Sequence, residues 1–136
     1  MQAGTISGKT SNAYITAEIE WSSIPTTATN SSVVTATLYL RRTNSWSGTA
    51  TSGTGSFAID IGGQKGSTSA KITIPNNGSW VKAITVQKTI THNTDGKKSI
   101  TISASGSISG TSVTSITCSD TVDLDNIPRM ATITSA

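Results

Sequence analysis

Apolar residues fall at every second position in run after run of this chain, and that period of two leaves little choice of fold. From Asn12 to Trp21, Ala13, Ile15, Ala17, Ile19 and Trp21 alternate with Tyr14, Thr16, Glu18 and Glu20. From Ser32 to Arg42, Val34, Ala36, Leu38 and Leu40 alternate with Val33, Thr35, Thr37 and Tyr39. Successive side chains of a strand point to opposite faces, so each run reads as a strand with one buried face. Shorter runs repeat the pattern: Ala3 to Ile6, then Phe57, Ile59 and Ile61, then Ala70, Ile72 and Ile74. Turn signals separate them, namely Ser7-Gly8, the Pro25 loop from Ser22 to Asn30, the Ser/Thr/Gly-rich stretch Thr43 to Gly55, Gly62-Gly63 and Asn76-Asn77-Gly78. The last run, Ser112 to Leu124, keeps Ile116, Cys118, Val122 and Leu124 in phase, while Asp120 breaks it and predicts a bulge or a strand end. No stretch carries a helical stripe.

The stretch Trp80 to Ser107 holds two such runs, with Ile84, Val86 and Ile90 in the first and Ile100, Ile102 and Ala104 in the second. His92-Asn93-Thr94-Asp95-Gly96 lies between them, and its Asp-Gly pair predicts a tight hairpin because both residues tolerate positive φ. A hairpin with one apolar face needs a second layer to cover it. The expected fold is all-β: a single antiparallel β-sandwich, immunoglobulin-like or jelly-roll, of about seven to nine strands. It spans residues 1–127, and Asp125-Asn126-Ile127-Pro128-Arg129 opens an exit segment or linker over residues 128–136.

Composition excludes several functions. The net charge is only +3, and the ten basic residues are scattered along the chain. A nucleic-acid binder would gather them into a stripe or patch, so no nucleic-acid partner is expected. A single cysteine, Cys118, permits no intramolecular disulfide, and its place in an alternating run makes it a small buried apolar group. No segment has the apolar length of a membrane span, so no insertion is expected. The start, MQAGTISG, has neither the basic nor the apolar region of a signal peptide, which predicts synthesis in a cytoplasm.

Few groups suggest chemistry. Glu18 and Glu20 share a strand face, about 6–7 Å apart, a spacing that overlaps glycosidase pairs. Glycosidase chemistry needs one acid in an apolar or cleft setting, which a flat Thr-rich face does not suggest, so a solvated pair is the expectation. His92, the one histidine, and Asp95 sit in a turn where backbone geometry explains the composition. Asp120, Asp123, Asp125 and Asn126 offer oxygen ligands at a strand end, but in no EF-hand spacing, and no metal or other cofactor is assigned. The chain is expected not to be an enzyme.

Sugars are bound by stacking on aromatic rings, with polar neighbours taking the hydroxyls. Trp46, in a polar loop after Asn44 and Arg42, is the leading stacking residue; the alternative is that it folds back to cap the domain. Tyr39 and Trp80 complete the candidate ligand-binding set. Trp21, in phase with Ile15 and Ile19, reads as core. Tyr14 and Tyr39 share the outward phase of their strands and could form a patch.

Three stretches carry a resemblance: TATLYLRRTNSW (35–46), VQKTITHNTDGKKSITISASGS (86–107) and LDNIPRMATITSA (124–136). Together the chain resembles tail-associated structural proteins of siphoviruses that infect Gram-positive bacteria, particularly streptococci. Those proteins have repeated β-sandwich modules that end in an I-P-R exit. The resemblance implies a phage virion location and a tail or fibre structural module, with other virion proteins and host cell-wall polysaccharide as partners. It leaves open a purely architectural spacer or decoration role with no ligand; a glycan-degrading enzyme is a distant third. Thr- and Ser-rich strand edges with little charge also suggest a homo-oligomer.

Overall fold

The computed structural model describes residues 2–43 and 50–128. Eight strands follow in chain order: β1 (Gln2–Thr10), β2 (Ile15–Thr26), β3 (Ser31–Arg42), β4 (Thr51–Ile61), β5 (Gln64–Ile74), β6 (Val81–Thr91), β7 (Lys98–Ile108) and β8 (Ile116–Leu124). They form one antiparallel sheet in the order β5-β4-β7-β8-β1-β2-β3-β6. The all-β expectation holds, but the architecture is a nearly closed, barrel-like sheet rather than a sandwich of two. Its outer strands come together where Gln64 Nε2 donates to the Thr89 carbonyl across 3.0 Å. Gly66 there lies so near Val86 that an added Cβ would sit 2.8 Å from the valine methyls.

The alternating residues supply the interior. Ile19, Leu38, Leu40, Ile59, Ile61 and Ile102 are fully buried and belong to one continuous core. Each contributes about 1.5–3 kcal/mol by leaving water. Ala13 and Ala70, expected to face inward, are exposed. Ala13 precedes β2, and β5 stands away from the core along most of its length, with only Ile74 buried. Phe57 covers that side of the core by lying over Gly55 and Gly106, where an added Cβ would meet its ring at 2.2 and 2.8 Å.

Several boundaries move. β1 runs through Ser7-Gly8 to Thr10, and β4 already begins at Thr51, inside the expected loop. β2 continues through Pro25 to Thr26, because its pairing with β1 reaches only to Gln2↔Ser23 and leaves that part of β2 an edge, where proline is tolerated. There is no bulge at Asp120, which pairs with Ile102 in unbroken register. Its inward carboxylate is exposed because β8 has parted from β1, the two pairing only over Gly8↔Cys118, Lys9↔Thr117 and Thr10↔Ile116. At the far end of that wedge the Gln2 side chain bridges the gap, donating to the Asp123 carbonyl at 2.8 Å and accepting from the Asp125 amide at 2.9 Å.

The largest correction concerns Trp80 to Ser107, which is not a hairpin. β6 pairs with β3, whereas β7 pairs with β4 and β8, so the intervening segment crosses between distant parts of the sheet. The local turn is real: Gly96 has φ 85°, Gly96 N–H donates to the Asn93 carbonyl and Asn93 N–H to the Lys97 carbonyl. His92 anchors it and is buried. The Gly96 carbonyl can only accept, so in the neutral ring Nδ1–H donates to it (2.8 Å), leaving Nε2 to accept from the Ser32 hydroxyl (2.7 Å). The same Gly96 carbonyl accepts the Ile127 amide at 3.0 Å, and Ile127 is buried. Two of the three stretches behind the resemblance therefore meet at one carbonyl.

Candidate binding face

Four neighbouring strands, β1, β2, β3 and β6, turn one face outward, and their registers arrange its side chains in rows. One row is Ser7, Glu18, Tyr39 and Lys82; the next is Thr5, Glu20, Thr37 and Thr85; the third is Ala3, Ser22, Thr35 and Gln87. Rows lie about 6.8 Å apart, two residues along a strand. Hydroxyls tie the strands together, through Thr37–Thr85 at 3.0 Å and Gln87 Nε2 donating to Thr35 Oγ1 at 3.0 Å.

At one end the face carries an aromatic platform. The Tyr39 and Trp80 rings meet edge to face, with centroids 6.5 Å apart and planes at 73°. The Arg41 guanidinium lies over Trp80, 4.7 Å from the ring centroid. Edge-to-face packing contributes about 0.5–1.5 kcal/mol, and an exposed cation–π contact about 0.5–1 kcal/mol. Trp80 nevertheless remains 38% exposed. A bulge makes the arrangement: Leu38 pairs with Ile84, but Tyr39 pairs with Lys82, passing over Ala83. Strict alternation from Ile84 and Val86 would put Trp80 on the inner face. The slip of one residue reverses the side-chain phase, turning Val81 toward the core and Trp80 out beside Arg41.

Beside the platform lies an open depression of about 510 Å³, lined by Ala3, Thr5, Glu20, Ser22, Thr35 and Thr37. Small residues on β1 make room for it. Trp21, in the core as expected, lies beneath Gly4, where an added Cβ would come within 2.8 Å of the indole nitrogen. A second depression, about 550 Å³ over β5, β4 and β7, is lined largely by serines and has no outward aromatic side chain.

Of the residues singled out from sequence, Tyr39 and Trp80 come together here. Trp46 and Asn44 lie outside the described residues. Arg42 does not join them: it is buried in the inward phase of Leu38 and Leu40, with Nη2 donating to Thr51 Oγ1 at 3.3 Å. Arg41, its neighbour, takes the outward place. The signal was available, since Arg41 shares the parity of Tyr39. Tyr14 is also exposed near this end, where its carbonyl accepts the Thr43 amide at 2.8 Å.

Among the described residues the acidic groups and the histidine lie apart from one another. Glu18 and Glu20 lie on the open face, His92 is enclosed, and no cluster of three or more His, Cys, Asp or Glu residues suited to a metal occurs among the described residues. Cys118 is buried, and burial, followed by the charge of Glu18, pushes its thiol up to about 11. A thiol so protonated at neutral pH is a packing group rather than a nucleophile.

A search of curated proteins and a search of solved structures gave no match. The profile of one protein family matches residues 11–136, nearly the whole chain. Its description is a siphovirus protein of unknown function, DUF859, and the chain belongs to that family, a protein made during phage infection.

Proposed function

We propose that this protein is a structural component of the siphovirus virion, in its tail, that offers the Tyr39–Trp80–Arg41 platform to carbohydrate on the host cell surface. The observation that carries the reading is the exposed Trp80, held edge-on by Tyr39 and capped by Arg41 on a rigid sheet. An aromatic fixed in this way offers the part of its ring left exposed beside Tyr39 to a sugar with little ordering cost, and neighbouring hydroxyls and charges meet the sugar's own hydroxyls. The function is binding, not catalysis. Single-site affinity on so open a surface is modest, and repeated copies on one particle would raise it.

A second reading has support of its own. Ile24 is 55% exposed on this same outer face, which also carries Trp80. Another virion protein packed there would bury both, making the chain an architectural spacer. Binding of a multimerised form to host-type cell walls separates the two, with wild type beside Trp80→Ala and circular dichroism checking the fold of each. Wall binding lost in the folded variant supports the carbohydrate reading. Failure of multimerised wild type to bind walls rejects it in favour of the spacer.

A further inference from the structure

Resting on the carbohydrate reading, we infer that the ligand is an uncharged polysaccharide lying lengthwise along β2 and β3, occupying several linked sugars rather than one terminal residue. The platform and the Glu20 depression are adjacent on one face, so they form two parts of a single track. From Arg41 to Thr35 on β3 the track runs about 20 Å, long enough for several linked sugar rings. The platform end stacks one ring. The depression lined by Thr5, Glu20, Ser22 and Thr37 supplies hydroxyls and one carboxylate, suited to accept and donate hydrogen bonds to the hydroxyls of a later unit.

The charges along the track nearly cancel and form no continuous run of cations for a polyanion to follow. Lys9, paired with Thr16, and Arg41 flank the first row, Glu18 and Lys82 face each other across Tyr39, and Glu20 stands in the depression. Three cations are thus set against two carboxylates, and the carboxylates occupy the middle of the path. A phosphodiester chain would cross like charges there, where repulsion opposes binding. A neutral chain meets no such barrier.

Calorimetry with size-graded fragments of an uncharged bacterial wall polysaccharide, beside a glycerol-phosphate polymer, tests this. Affinity is expected to rise about tenfold or more from the shortest to the longest neutral fragment. It should change little between about 50 and about 500 mM salt. Glu20→Ala, an exposed substitution that spares the fold, should weaken the longest fragment about fivefold and leave the shortest unchanged. Length-independent affinity, tighter and steeply salt-dependent binding of the phosphate polymer, or a silent Glu20→Ala would each overturn the inference. If Trp80-dependent binding to intact walls persists alongside any of these, the carbohydrate reading stands without it. If neither walls nor fragments bind, both fall.

Discussion

Replacing Gly8 by alanine should cost about 3 kcal/mol, although it adds one methyl group to a strand. An added Cβ would sit 2.1 Å from Cys118 Sγ and 2.5 Å from the Thr117 carbonyl oxygen. Ordinary contacts need about 3.5–4.0 Å, so something must move by more than an ångström. The sulfur can turn aside, but the carbonyl belongs to the backbone of the facing strand, so β1 and β8 must part. Gly8↔Cys118 is one of only three paired positions joining them. Overpacking accounts for about 1–3 kcal/mol, and weakened ladder bonds add about 1 kcal/mol each. Urea unfolding reads the result: with a slope of about 2 kcal/mol per molar, the midpoint should fall by about 1.5 M. In a Cys118→Ala background the same substitution should cost about 1 kcal/mol less, because the sulfur clash is gone and the carbonyl clash remains. A Gly8→Ala protein within about 0.5 kcal/mol of wild type, its β1–β8 amides equally protected from exchange, would refute the close-approach argument.

Other outcomes can be checked with the same material. His92→Phe keeps the ring but leaves the buried Ser32 hydroxyl unpaired, and should lose about 2 kcal/mol, or about 8 °C in Tm; a drop under about 2 °C would show the anchor to be idle. The Cys118 thiol rises from its ordinary 9.0 to about 11 on folding, so it favours the native state below about pH 9, and that contribution is lost as pH climbs toward 11. The pH-dependent part amounts to about 3 kcal/mol, and Cys118→Ala should flatten the decline; parallel curves would contradict it. At neutral pH the same thiol should resist alkylation until urea unfolds the chain. Trp80→Ala should abolish wall binding at a stability cost of about 1–2.5 kcal/mol, the Tyr39 and Arg41 contacts that it removes, with the fold retained by circular dichroism.

The sequence showed strand phases well where both neighbours of a strand are present. Ile15 to Trp21 and Val34 to Leu40 follow the alternation because β2 and β3 sit inside the sheet with one face on the core. It misled where phase depends on a partner. Asp-Gly after His92 builds the turn it advertises, yet turn chemistry is local and says nothing about which strands pair beyond it. Asp120 looked like a fault in the strand, when it marks a gap beside the strand. Alternation from Ile84 and Val86 alone points Trp80 inward, since the bulge that turns it out depends on pairing with β3; Arg42 has the inward parity of Leu40, and Arg41 takes the outward place. The depression around Glu20 could not be foreseen, because it depends on small β1 residues lying beside β2, a neighbour relation fixed only by the fold.

The wedge between β1 and β8 bears on how the molecule would carry load. Gln2 lies beside Asp123 and Asp125, so β1 begins and β8 finishes at the same end of this seam. Tension drawn through both ends would peel the strands apart one contact at a time, with the glutamine clasp yielding first, rather than shear a whole ladder at once. The Ile127–Gly96 bond diverts part of the outgoing pull into the crossing segment beyond β6. A domain loaded in this way would give at low force. Single-molecule pulling through handles at Gln2 and Asp125 that found a high, sharp rupture force would rule this out.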